Sequence, residues 1–270
     1  MPDVSPLLTV MRLKMARSAL FPAVALGALV LSGLACIDSP PPTVRPTEYQ
    51  AQDLSGLSFA NKNLSGADFS NKTLYGVDFS GADLRQADFS GARLSDSDFR
   101  HSLIAGTNFS NAEMFDVKLE QLCGFGEAKW TGAQLDAKWE TVRQLYQSGR
   151  EATLPRPLPS LSAVCWKDID LSGVDFGGGS LTESVFTGTV RLEDASFAGA
   201  DLTRVSLAGL SVSTADFTGA ITFGMDVRHA NLEDAVITDA QLNVAVLGCT
   251  RMPGGGIYRI EDCGEAMPPD

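Results

Sequence analysis

Five cysteines, two histidines and a recurring file of aspartates are the side chains of this chain that could do chemistry. Cys36 closes an apolar N-terminal run and stands apart from Cys123, Cys165, Cys249 and Cys263. An even count in an exported chain points to two disulfides, and four cysteines allow three pairings. Cys249 with Cys263 would pin the end of the chain, and Cys123 with Cys165 would bracket a helical interruption. Cys123 also falls at a position expected to face inward, where a free, buried thiol is the alternative. There is no Cys-x-x-Cys, so metal or thioredoxin-like use is not expected. His101 and His229 each fall at an expected outward turn, and no spacing joins them to a nucleophile. The stretch Asp168-Ile-Asp170-Leu-Ser172-Gly173 begins like a calcium loop, but Gly179 stands where a bidentate glutamate is required. Asp68 with Asp88, and Asp78 with Asp98, would stack outward as paired carboxylates, yet they occupy identical positions of a repeat, which gives them a structural origin. No catalytic residue, metal or cofactor is expected.

The elements that position these side chains are set by a five-residue period. Large apolar residues recur at Leu54, Phe59, Leu64, Phe69, Leu74, Phe79, Leu84, Phe89, Leu94 and Phe99, and onward to Leu119. Two places before the centre there is often a small residue such as Ala67, Ala82 or Ala87, and one place before it often an Asp or Asn such as Asp68 or Asn63. Glycine is frequent two places after, as at Gly66 and Gly81. Apolar residues five apart would spiral around a helix by 140° per step and cover no face, and a flat strand needs a period of two. Short strand pieces separated by turns fit, with glycine supplying the turn angles. The centre and the small residue before it should point inward, and the other three positions outward.

After Leu119 the register slips by one, with Phe125, Trp130 and Leu135 as centres. Residues 136–149 then read as a helix, with Trp139, Val142 and Leu145 or Tyr146 on one face, Asp136 as its N-cap and Gly149 as its stop. A stiff proline-rich link leads into a second run from Leu171 through Phe176, Leu181 and Phe186. An extra residue intervenes near Gly188–Val190 before Leu192, Phe197, Leu202, Leu207, Val212, Phe217, Thr222, Val227, Leu232 and on to Leu247. Thr222 is a weak centre and marks an expected distortion.

The pattern Ala-(Asp/Asn)-Leu-x-x, recurring about thirty times, resembles the pentapeptide-repeat family. The resemblance implies an all-β fold, a right-handed four-sided β-helix with four pentads per turn, interrupted here by one α-helix. In that frame phenylalanines stack as ladders on two opposite faces with aliphatic ladders between. The expected organisation is a signal peptide at 1–35, with Met11 as an alternative start, a tether at 36–50, a first repeat block at 51–135, the interruption at 136–160, a second block at 161–247, and a C-terminal cap at 248–270.

The N-terminus explains why Cys36 is set apart. Arg12, Lys14 and Arg17 precede an uncharged apolar run that ends in Ser32-Gly33-Leu34-Ala35-Cys36. This is the layout of a secretory signal, and the strongly apolar part, 19–31, is short for the roughly 20 residues of a membrane span. The segment resembles a bacterial lipoprotein signal with Cys36 as the lipidated residue; Gly33 departs from the usual leucine, and simple cleavage near Ala35 is the alternative. Acyl chains on Cys36 would hold the protein on a membrane. Four prolines in residues 37–50 make an extended spacer on the order of 40 Å.

The net charge is −12, and removing 1–35 takes away three basic residues against one acid, leaving −14. Such a surface repels nucleic acid and anionic lipid, so no nucleic-acid partner is expected. The leading functional expectation is a non-enzymatic, membrane-tethered scaffold or protein-binding module of the bacterial cell envelope, outer-membrane, periplasmic or surface-exposed. A soluble periplasmic protein is the alternative location. Two other readings are an acidic, DNA-mimicking rod acting on a topoisomerase, as some pentapeptide-repeat proteins are, and a carbohydrate-active β-helix enzyme.

Overall fold

A backbone that turns every five residues finds most of its hydrogen-bond partners one coil away and closes its corners with short local bonds, such as Ala67 N–H to Leu64 O. The computed structural model describes residues 51–258, which lie within one compact unit. Their pairing is parallel through the coils and mostly by single bridges: Asp53 with Thr73, Thr73 with Arg93, Arg93 with Glu113. Each step is 20 residues, or four pentads, and the chain forms a right-handed quadrilateral β-helix.

Three local devices build each corner. The amide of the centre donates to the coil beneath, as Phe69 N–H does to Asp88 O at 2.7 Å. The carboxylate before the centre accepts from the amide two residues on, as Asp68 Oδ1 does from Ser70 N–H at 2.9 Å and Asp78 Oδ1 from Ser80 N–H at 2.9 Å. The Asp/Asn preference is therefore a turn-closing bond and not simply a solvent-facing choice. The residue two after the centre takes a positive φ, and where it is not glycine it is often Asn or Asp, as at Asn61 (φ 57°) and Asp96 (φ 65°). At Gly81 (φ 66°) the absence of a side chain also makes room, since a Cβ there would collide with Asn61 Oδ1.

The interior is a stack of centres. Phe69, Phe79, Leu84, Phe89, Phe99, Leu202, Phe217 and Leu232 are fully buried, and Leu64 nearly so. Phe59, Phe79 and Phe99 stack at 5.4 and 4.9 Å, while Phe69, Phe89 and Phe109 stack at 4.9 and 5.3 Å and continue onto Trp130 at 4.6 Å. The two ladders meet edge to face, as between Phe79 and Phe89 at 5.3 Å and 85°. The small inward position also admits hydroxyls: Ser97 Oγ and Thr107 Oγ1 are buried and donate to Leu74 O and Leu84 O, each at 2.7 Å.

Where the spacing changes, the backbone shows how. From Asn108 to Lys129 the interval is 21 residues, and the extra one is absorbed beside a 3₁₀ turn at Phe125–Glu127. Leu122 becomes the inward residue and Cys123 is exposed, which corrects the expectation that Cys123 faces inward. Strand β1 (Glu113–Met114) pairs with β2 (Gln134–Leu135), and α1 (Ala137–Ser148) follows. Trp139, Val142 and Leu145 are its buried apolar side chains, with Thr141 buried beside them. Asp136 occupies the N-cap position, but its carboxylate makes no bond to the helix; Oδ2 accepts from Asp116 N–H at 2.8 Å, one coil back. Gly149, with φ 50°, ends the helix.

The second run starts earlier than the expected Leu171. Leu161 and Trp166 are already buried centres, and Gln121 N–H donates to Ala163 O at 2.8 Å, so the two blocks stack directly. Strand β3 (Cys165–Lys167) pairs with β4 (Val185–Thr187) at an interval of 20, whereas Asp170 pairs with Arg191 at 21. The extra residue thus falls between 187 and 191, where Asp168 Oδ1 accepts from Thr189 N–H at 2.8 Å. Thr222 is buried and keeps the interval of its own coil; the irregularity lies one coil on, where α2 (Asp239–Leu242) replaces the strand. Thr222 Oγ1 donates to Gln241 O at 2.8 Å, and Gln241 Nε2 donates to Phe217 O and Ala220 O. The coil runs past the expected 247 to Arg251, which pairs with Asn231. A hairpin of β5 (Thr250–Arg251) and β6 (Ile257–Tyr258) follows.

Candidate functional site: the junction and the outward apolar cluster

Two places depart from a plain repeat enough to carry specificity. The first is the junction between the blocks. Cys123 and Cys165 form a disulfide with Cα atoms 5.0 Å apart, joining the last corner of the first block to β3. The helix α1 is held from both sides. Trp139 stacks near Phe125 with centroids 5.9 Å apart, and Tyr146 lies between Phe125 at 5.9 Å and Trp166 at 6.2 Å. Tyr146 Oη donates to Lys167 O at 3.2 Å and accepts from Lys167 N–H at 2.9 Å, so one hydroxyl stands in for a ladder partner of β3. Burial pushes the Tyr146 phenol up to about 12. Lys167 Nζ reaches Glu127 Oε1 at 2.6 Å across the junction. Beside the end of α1 a cavity of about 420 Å³ is lined by Ser148, Arg150, Glu151, Asp170, Ser172 and Arg191. The outer face of α1, with Glu140, Arg143, Gln144 and Gln147, is polar, so its apolar side is spent on packing.

The second place is an outward cluster near the C-terminal end. Ile221 and Phe223 flank the buried Thr222 and are 54% and 61% exposed. One coil on, Val244 and Val246 are also exposed; Gly224 N–H donates to Val244 O, and Asp226 bridges to Val246. The sequence carried a signal for it, because apolar residues stand on both sides of a repeat centre where the pattern is polar.

The remaining candidates do not assemble. Asp78 and Asp98 are bridge partners one coil apart. Bonds from Ser80 hold the Asp78 carboxyl below the ordinary carboxylate value, and bonds from Arg100 do the same for Asp98. A glycosidase acid needs the opposite shift. His101 and His229 are exposed at positive-φ corners, with φ 61° and 59°. Cys249 is buried and disulfide-bonded. Cys36 and Cys263 both lie outside the described residues. Among the described residues no group of three or more His, Cys, Asp or Glu side chains could hold a metal, and no helix is long and apolar enough to cross a membrane.

A four-sided coil of five-residue units with a buried centre in each defines a class of solenoid. The family model for pentapeptide repeats matches residues 53–91, 92–123 and 190–221 in eight copies. The chain belongs to the pentapeptide-repeat family. No curated protein sequence matches it. Among solved structures, HetL, a pentapeptide repeat protein involved in heterocyst differentiation regulation from the cyanobacterium Nostoc, is 26% identical over 76% of this chain and 91% of its own, with a TM-score of 0.29. QnrB1, a plasmid-mediated fluoroquinolone resistance protein, is 16% identical over 75% of this chain and 90% of its own, with a TM-score of 0.23. A pentapeptide repeat protein of the Arabidopsis thaliana thylakoid lumen is 19% identical over 73% and 85%, with a TM-score of 0.14.

Proposed function

We propose that this protein is a non-enzymatic, lipid-tethered protein-binding module of the bacterial cell envelope. The observation that carries the binding part is the outward cluster of Ile221, Phe223, Val244 and Val246 on a surface whose equivalent positions are otherwise mostly polar. Leaving such side chains in water forgoes burial worth roughly 25 cal/mol per Å², and exposed apolar side chains gathered at one end of a polar surface favour a contact site there. The tether rests on the signal-like run before Cys36 and the proline-rich spacer after it.

Labelling with radioactive palmitate and fractionation test the tether. The wild type should label and sediment with membranes, and Cys36→Ser should do neither; an unlabelled cytoplasmic product beginning at Met1 would overturn the reading. A photo-crosslinking residue at position 223 tests the surface. It should give a discrete protein adduct in envelope preparations, and the same residue at the polar position 203 should not.

The DNA-mimic alternative asks for rows of unpaired negative charge. Here Asp83, Asp98 and Asp226 are each ion-paired with an arginine two residues on, at 2.6, 2.6 and 2.7 Å, which breaks such rows.

A further inference from the structure

The link after α1 differs from every coil in how its backbone is held. Within the coils, amides and carbonyls bond to neighbouring coils, as Thr73 N–H does to Gln52 O and Gly76 N–H to Ser95 O. From Thr153 to Ser160, among the described residues, no backbone group bonds to another backbone group. Ahead of that stretch lies a single 3₁₀ turn, Gly149–Glu151, closed by one bond from Ala152 N–H to Gly149 O at 3.1 Å. Gln147, Ser148, Arg150, Glu151 and Thr153 are exposed. Arg150 makes no hydrogen bond or ion pair among the described residues, in contrast to Arg85, Arg100 and Arg228, each paired with an aspartate.

An endoprotease must take its substrate as several residues of extended chain, so cleavage follows the segments that open most cheaply. The link also contains Arg156, but Pro157 follows it, which blocks arginine-directed cleavage, and its guanidinium is tied to Asp175 and Gly177 O. One arginyl bond in the link remains, Arg150–Glu151. The Cys123–Cys165 disulfide brackets it, with one cysteine on each side. The packing of Trp139 and Tyr146 onto Phe125 and Trp166 lies wholly outside the cut segment.

We propose that Arg150–Glu151 is a processing site for an arginine-directed endoprotease, and that the product is a disulfide-linked two-chain protein that keeps its fold. The step is hydrolysis of one peptide bond: water adds across it, leaving a carboxylate on Arg150 and an amine on Glu151. The inference does not depend on the tether or on the outward cluster.

The test is limited trypsin digestion of the oxidised full-length protein, followed on denaturing gels with and without reductant. The first new N-terminus within residues 51–258 should be Glu151. The nicked protein should run as one species without reductant and as two with it, and should keep its cooperative melt. Arg150→Gln should slow the first cut by roughly tenfold or more, because the neighbouring basic residues sit in bonded structure. A first cut at any other described residue, resistance of the 150–151 bond, fragments that part without reductant, or loss of the cooperative melt on nicking would each overturn the proposal.

Discussion

The two blocks solve one cross-section with different side chains. In the first, Phe and aliphatic centres alternate so regularly that two aromatic ladders run in parallel and interlock edge to face. In the second, only one all-phenylalanine column persists, Phe176–Phe197–Phe217, stacked at 5.5 and 5.2 Å. The opposite column falls away from Trp166 and Phe186 to Leu207 and Val227, all still buried. Outward positions differ too. The second block ends in Ile221, Phe223, Val236, Val244 and Val246 exposed, where the first exposes scattered residues such as Leu57 and Tyr75. The coil thus demands an apolar centre of flexible size inside and leaves the outside free to vary, so the outside is where one family member can differ from another.

Truncation breaks that comparison most directly. Phe79→Ala, in the middle of both stacking and edge contacts, should cost about 3–5 kcal/mol, whereas Val227→Ala should cost about 2 kcal/mol because fewer methyl groups leave and no ring partner is lost. Chemical denaturation of the two variants checks it; a Phe79→Ala cost no larger than its greater lost volume predicts from Val227→Ala would mean that the ladder adds nothing beyond volume.

Next in size is the staple. The disulfide closes a loop with a sequence separation of 42 residues, and replacing both Cys123 and Cys165 by serine should cost about 2–4 kcal/mol. If the two blocks fold as one unit, the melt stays a single transition at lower temperature. Two transitions would show that the packing of α1 alone does not couple them.

The coil itself was legible in the sequence because its period is five and its inward chemistry hardly varies from Leu64 to Phe99. The breaks were legible as breaks but not as structures. One inserted residue near Leu119 can be absorbed in several ways, and only the 3₁₀ turn that turns Leu122 inward puts Cys123 outside. Trp166 was hidden because its flanking residues do not keep the repeat's Asp and Gly, and it is instead positioned by Tyr146 from 20 residues earlier. The Asp136 carboxylate could have served its own helix; the neighbouring coil's Asp116 amide, invisible in a linear reading, competes for it and wins. Non-local partners decided each of these cases.

The Tyr146 contact gives a smaller expected effect at that same boundary. Tyr146→Phe keeps the ring between Phe125 and Trp166 but strands the Lys167 amide, and should cost about 1–2 kcal/mol. Because the phenol is raised above its ordinary 10.0 to about 12, the wild type should lose stability as pH rises from 10 toward 12, where the unfolded chain ionises first. The phenylalanine variant should lack that component of the loss, and a spectrophotometric titration at 295 nm locates the phenol.

The smallest effect separates two kinds of corner that the blocks share. Asp68 and Asp78 are held low by bonds from Ser70 and Ser80, while Asp83, Asp98 and Asp226 are held low by bonds from Arg85, Arg100 and Arg228. A carboxyl whose folded value lies below its ordinary 3.8 stabilises the fold while ionised, so its contribution is complete above the ordinary value and disappears as pH falls through the folded one. The melting temperature should therefore be nearly flat from pH 5 to 8 with respect to these groups and drop below about pH 4. Arg100→Ala should remove only the pairing component, a small loss for so exposed an arginine, and the loss should shrink in high salt. Asp98→Ala should cost more than that and keep most of its effect in high salt, because it also removes the bond to the amide of residue 100, which closes the corner whether or not an arginine follows. Equal costs for the two variants would mean that the ion pair, and not the turn bond, is why an acid stands before the centre.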